Sequence, residues 1–164
     1  MSEFQTQVNT QLPNGVPGDV AYNCDHEGVS LEVMSATADN HIGYVYTRSS
    51  GSETMCEVGG TGVFAGIGAL SKATIGGTVD GGASMLFPQY SQINVLSKGV
   101  ICVPYAGGEA NIGDALQYNM ATGLVGLAPS WGNADAGNIS IRNASVAYHY
   151  LVGGGVLTIK IVGL

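Results

Sequence analysis

Charge is scarce in this chain, and positive charge is scarcer still. Only 10% of the 164 residues are Asp, Glu, Lys or Arg, where a soluble domain usually carries about a quarter. Twelve Asp and Glu face five Lys and Arg, for a net charge of -7. The basic residues, Arg48, Lys72, Lys98, Arg142 and Lys160, are scattered singly. Counterion release from phosphates needs clustered cations, so this pattern argues against direct binding of nucleic acid. Long apolar runs are missing too: no stretch supplies the roughly 18 apolar residues of a membrane helix. The first residues have neither the basic start nor the apolar centre of a secretory signal, and a chain folded in the cytoplasm is expected. The three cysteines, Cys24, Cys56 and Cys102, are far apart and form no C-x-x-C pair. That speaks against a disulfide framework and for buried thiols. There is no G-x-S-x-G elbow and no repeat of fixed period, so neither a hydrolase of that type nor a solenoid is indicated.

What the chain has in quantity is glycine, 26 residues, within a composition that is 45% hydrophobic. Enough apolar surface is available to build a core, and glycine at this density means many turns rather than disorder. The length suits one domain with appendages. Residues 1–20 differ from the rest, being rich in Gln, Asn and Thr and punctuated by Pro13, Gly15, Pro17 and Gly18. Phe4, Thr6, Val8, Thr10 and Leu12 alternate with Gln5, Gln7, Asn9 and Gln11, the period of an extended strand. We read residues 1–20 as an extended N-terminal arm and residues 21–164 as a single β-domain. Fully extended, such an arm reaches on the order of 60 Å at about 3.3 Å per residue.

Beyond the arm, short runs of β-type residues alternate with glycine turns. Helix is expected to be minor, and the one window open to it is Leu31 to Ala38. Ile42 to Arg48, with Tyr44, Val45, Tyr46 and Thr47, reads as a strand. Ile93 to Leu96 and Val100 to Val103 flank Ser97-Lys98-Gly99 as a hairpin would, and Ala115 to Met120 and Leu124 to Leu127 flank Ala121-Thr122-Gly123 in the same way. Ala144 to Val152 and Val156 to Val162, joined by Gly153-Gly154-Gly155, read as a terminal antiparallel pair whose second strand has one buried and one wetter face. Many short strands with closely spaced turns predict an all-β fold: an antiparallel sandwich, a jelly roll or a small barrel.

Several arrangements look like ligand sites, and each has a simpler reading. Gly60-Thr-Gly62-Val-Phe-Ala65 with Asp80 matches a dinucleotide fingerprint, but that motif needs a helix, which Gly66, Gly68, Gly76 and Gly77 would interrupt. Cys24, Asp25, His26 and Glu27 are consecutive and point to opposite sides of a strand, so they cannot all reach one metal ion, even with His41 or His149 nearby. Asn133-Ala-Asp135-Ala-Gly137-Asn138 spaces oxygen ligands as a calcium loop does but lacks the later bidentate Glu, and Asn, Asp and Gly are equally the residues of turns. We therefore expect no catalytic, metal or cofactor site.

Phe4-Gln-Thr-Gln-Val-Asn9 followed by Gly15-Val-Pro-Gly-Asp19 resembles the opening of the structural cement proteins of tailed-phage heads. Ile93-Asn-Val-Leu-Ser-Lys-Gly-Val-Ile-Cys-Val103, then Gly107-Gly108, Gly113-Asp114 and Asn119-Met-Ala-Thr-Gly123, resembles a later portion of the same proteins. The resemblance implies a non-enzymatic decoration protein, made in the bacterial cytoplasm and bound to the outer surface of the head. Its partners would be the phage major capsid protein, whose neighbouring subunits it bridges, and itself as a dimer or trimer, with no direct nucleic acid and no membrane. The capsid contacts implied for the arm are Phe4, Gln5, Thr6, Val8, Asn9, Leu12 and Asp19. The alternative is a virion-surface binding module, an adhesin or glycan-binding β-domain, whose aromatic platform would have to come from Trp131, Tyr148 and Tyr150.

Overall fold

The computed structural model of the chain describes residues 15–21, 25–70, 86–148 and 155–163. Among these are nine strands: β1 (Glu27–Val33), β2 (Val45–Arg48), β3 (Met55–Val58), β4 (Phe64–Gly68), β5 (Gln92–Pro104), β6 (Ala115–Asn119), β7 (Val125–Leu127), β8 (Asn138–Val146) and β9 (Val156–Ile161). Strands β1, β3, β2, β4 and the first half of β5 are hydrogen-bonded in that order, and β1 also pairs with β5, so the five close into a small barrel. The second half of β5 leaves the barrel to pair with β9, which is followed across the sheet by β8, β6 and β7. The all-β expectation holds, and of the architectures it left open the chain builds a closed barrel extended by a second sheet.

Two apolar clusters organise these elements. Leu31, Val33, Tyr46, Cys56, Val58, Phe87, Ile93 and Val95 fill one, made of barrel-strand residues and the Phe87 ring. Val45, Ile67 and Leu96, from the same barrel strands, join Ile101, Val103, Leu116, Tyr118, Ile141, Leu157, Ile159 and Ile161 of the second sheet in the other. Adjacent residues Val45 and Tyr46 thus belong to different cores, as the two-residue period of a strand requires. The wall made of β2 and β4 is buried on both faces, which is why its sequence reads as continuously apolar or small rather than alternating.

Strand β5 corrects the hairpin expected at Ser97-Lys98-Gly99. The thirteen residues from Gln92 to Pro104 form one strand. On β1, Glu27 faces Lys98 and Gly28 faces Leu96, so Ser97 is left without an opposite residue. This is a bulge, and it shifts the side-chain phase by one. Ile93 and Val95 therefore face the first core, while Ile101 and Val103 face the second. Gly99, at φ +129, takes a backbone shape that side chains disfavour, and the strand passes from one sheet to the other there. The residues of a loop and of a sheet-switching bulge are the same; β1 and β9, distant in sequence, decide between them.

The window at Leu31 to Ala38 is not helical. It holds the end of β1 and a single 3-10 turn at Thr37–Asp39. Leu31 and Val33 alternate into the barrel core, and that burial outweighs a weak helical preference. The Ala121-Thr122-Gly123 hairpin does form: β6 and β7 pair, Gly123 sits at φ +73, and Asn119 Oδ1 accepts from the backbone N–H of Ala121 (3.0 Å) and of Thr122 (3.1 Å). The terminal antiparallel pair also forms, but its first strand, β8, runs from Asn138 to Val146 and starts six residues before Ala144. Residues 149–154, including the rest of that expected strand, lie outside the described residues.

Buried polar groups are tied down rather than left open. Asn40, fully buried, donates from Nδ2 to the carbonyls of Ser35 (2.9 Å) and Phe87 (3.2 Å) and accepts at Oδ1 from Ser35 Oγ (2.6 Å). It fastens the segment after β1 to the one before β5, a cross-link between parts of the chain 47 residues apart.

Candidate functional site

The arm residues Phe4, Gln5, Thr6, Val8, Asn9 and Leu12 lie outside the described residues. Asp19, the other residue singled out for the arm, lies in a segment that runs along the second half of β5. Gly18 N donates to Cys102 O (2.7 Å), Cys102 N to Asp19 O (2.9 Å), and Ala21 N to Val100 O (3.0 Å). Val20 faces Ile101 and joins the core. Leu70 N donates to Gly18 O (2.8 Å), which binds the segment to the end of β4 as well. The Asp19 side chain points out to solvent. Residues 18–21 are therefore fixed along this edge of β5.

Beside the segment lies a groove of about 180 Å³, lined by Asp19, Val20, Ala21, Val100, Ile101, Cys102, Tyr148 and Thr158. Its floor is apolar, and Cys102 Sγ lies 3.7 Å from Thr158 Oγ1. Tyr148 stands at its rim, 56% exposed. A second, more polar hollow of about 600 Å³ is framed by Arg48, residues 49–53, Glu57 and residues 61–63. Its cation is engaged: the Arg48 guanidinium donates to the Glu53 carbonyl.

The ligand-like arrangements resolve into structural contacts. Asp25 and Glu27 both bind the Lys98 ammonium, at 2.8 and 3.3 Å, clasping the bulge of β5 from the start of β1. The attraction holds the Asp25 carboxyl below its ordinary range. Sequence reasoning gave Lys98 no role beyond a turn; its partners precede it by more than seventy positions, and only the β1–β5 pairing brings them together. Gly60-Thr61-Gly62 leads into β4, a strand, so no helix N-terminus stands there to receive a pyrophosphate. Asp135 is joined to Gln117 in both directions, N to Oε1 (2.8 Å) and Oδ2 from Nε2 (2.5 Å), and its loop is held by that contact. Among the described residues, no three His, Cys, Asp or Glu side chains are grouped as a metal site would need. Cys24, Asp80, His149 and Tyr150 lie outside the described residues.

The described thiols are buried and protonated. Burial pushes the Cys56 thiol up from about 9 to about 12, and the Cys102 thiol is raised for the same reason. A thiol held in this state is a poor nucleophile. The sign of the linkage is definite: the unfolded chain releases the Cys56 proton near pH 9, whereas the folded chain keeps it until about pH 12. Stability should therefore fall as pH rises through that window and be unaffected by this group below it. Thermal melts across the window are expected to show a shallower decline for Cys56→Ala than for the unaltered protein; equal slopes would remove Cys56 as a cause.

What the geometry offers is a closed barrel extended by a second sheet and an N-terminal segment fixed along β5. Comparison with known proteins gives this a context. The chain matches the family described as structural cement protein (E217 gp24/Pam3 gp6) over residues 4–161. The chain belongs to the structural cement protein family. The match begins at residue 4 and ends at the last residue of β9. In fold, the cement protein is similar to a chain from the capsid of Myoviridae Phage XM1, with a TM-score of 0.70 and 11% identity over 98% of each chain. No curated protein matches it. A role as a phage capsid-associated structural protein, found in the virion with capsid proteins as partners, follows from the family.

Proposed function

We propose that this cement protein binds the outer surface of the phage head, bridges neighbouring major capsid protein subunits and stabilises the shell against the pressure of packaged DNA. It does so without catalysis. The observation that carries the reading is the family match from residue 4 to residue 161, which includes the polar leader as part of the pattern. The anchoring of residues 18–21 to β5 supports it further, since a leader that starts from a fixed edge can reach in a defined direction. Extended from Gly15, the preceding fourteen residues span roughly 45 Å, enough to cross onto an adjacent subunit. Added as a strand to an exposed sheet edge, the leader supplies backbone hydrogen bonds, while Phe4, Val8 and Leu12 fill pockets and Gln5, Thr6 and Asn9 face water or polar groups. Asp19 sits where arm and body meet and contributes a carboxylate to the contact.

One such arm binds weakly, because the ordering of a polar leader offsets part of the contact energy. A dimer or trimer presents several arms at once and binds by avidity. The direct test is cryo-electron microscopy of expanded heads that lack the protein, after addition of purified chain. Density over junctions between capsid subunits, on the outer face, is the expected result. Heads that stay bare at saturating protein would overturn the proposal.

A further inference from the structure

Trp131 is the only tryptophan in the chain, and it stands 55% exposed on the loop between β7 and β8. The loop is braced at two levels. At its tip, Asn133 N donates to Ser130 O (3.2 Å), Asn133 Nδ2 donates to Ser130 Oγ (2.6 Å), and Gly132 at φ +80 occupies the left-handed position of the turn, with Trp131 before it. At its root, the buried Gln117 of β6 holds both the N–H and the carboxylate of Asp135 and donates to Leu127 O at 2.7 Å. The indole is therefore presented by a loop whose shape is already fixed. A preformed aromatic projection loses little freedom on binding, which is the arrangement that binding anchors favour.

The surroundings narrow the partner. The exposed stretch that carries the ring, Pro129 to Ala134, has no Asp, Glu, Lys, Arg or His, and depletion of charge around an aromatic is the composition of an interface centre. Of the polar groups closest in sequence to the ring, Ser130 Oγ and Asn133 Nδ2 are engaged with each other, and Asp135 Oδ2 with Gln117. A sugar would need such groups turned outward beside the ring, so an apolar protein pocket fits better than a glycan. We propose that Trp131 is a preformed anchor that inserts into an uncharged, apolar pocket on the major capsid protein, at a contact separate from that of the arm. This rests on the capsid-binding reading above.

The test uses the full chain with 5-hydroxytryptophan in place of Trp131, which can be excited apart from the tryptophans of the head. Acrylamide quenching is followed as heads lacking the protein are added, alongside co-sedimentation of Trp131→Ala. Expected are loss of quenching on binding and roughly 10- to 30-fold weaker binding of the alanine variant, the range of an aromatic hot spot, with an unchanged melting temperature. A ring that stays quenchable on decorated heads, with full binding by Trp131→Ala, overturns the anchor and leaves the capsid-binding reading standing. Protection that rises with protein concentration alone makes a second copy the occupant and overturns it too, as does protection by glycans and not by heads. Failure of the unaltered protein to bind heads ends both readings.

Discussion

A chain lacking residues 1–12 is expected to melt close to the full protein and to bind expanded heads on the order of a hundredfold more weakly, the equivalent of about 3 kcal/mol. The first half of this expectation comes from the contacts of residues 18–21. The contacts that fix the N-terminal side of the body are made by Gly18, Asp19, Val20 and Ala21 on β5 and by Gly18 with Leu70, and all survive the truncation. The second half comes from the proposed strand addition, in which Phe4, Val8 and Leu12 occupy pockets. A pocketed aromatic removed by Phe4→Ala costs about 1 to 3 kcal/mol, whereas a solvated one costs almost nothing. Quantitative co-sedimentation with heads separates these cases. Full-affinity decoration by the truncated chain would refute the role of the arm, and a large drop in its melting temperature would show that the leader belongs to the folded body.

A large loss of stability is expected from Gly123→Ala. Gly123 lies at φ +73, where a Cβ costs about 1 to 2 kcal/mol on its own. A Cβ there would also stand 2.7 Å from Val45 O and 3.0 Å from Gly59 N, backbone atoms of other segments that cannot rotate away. The hairpin of the second sheet meets the barrel at this point: Val45 N donates to Gly123 O (2.9 Å), Gly59 N to Val45 O (2.9 Å) and Gly60 N to Met120 O (2.7 Å). Separating the two backbones to admit a methyl group weakens several of these bonds together, so a total near 3 to 5 kcal/mol is expected, a large share of a domain's stability. For a chain of this size that corresponds to a melting temperature lower by roughly 10 °C or more. Gly51→Ala is the control, since Gly51 has a similar φ of +78 with nothing within 4 Å of the added Cβ. Equal losses at the two positions would mean that backbone strain, not the meeting of barrel and hairpin, sets the cost.

The sequence was a good guide where the deciding interactions are local. The hairpin at Ala121-Thr122-Gly123 depends on one glycine and on Asn119 bonding the turn that follows it, and both lie within five residues. The strand at Val45–Arg48 carried its own β-branched and aromatic side chains. It was a poor guide at Ser97-Lys98-Gly99, where a loop and a bulge use the same residues and the choice belongs to β1 and β9. The ligand-like runs were similarly ambiguous. Asp25 and Glu27 face Lys98, and Asp135 faces Gln117, across separations that no local pattern contains.

Composition, turn chemistry and two-residue alternation by themselves determined an all-β body rich in turns, the β6–β7 hairpin, the scarcity of positive charge and the family to which the chain is similar, because each is a property of short windows or of the whole inventory. Only the tertiary structure decided that five strands close into a barrel, that β5 serves two sheets and that Trp131 is held out on a braced loop. Those outcomes depend on pairings between residues tens of positions apart, whose energy exists only once the chain has brought them together.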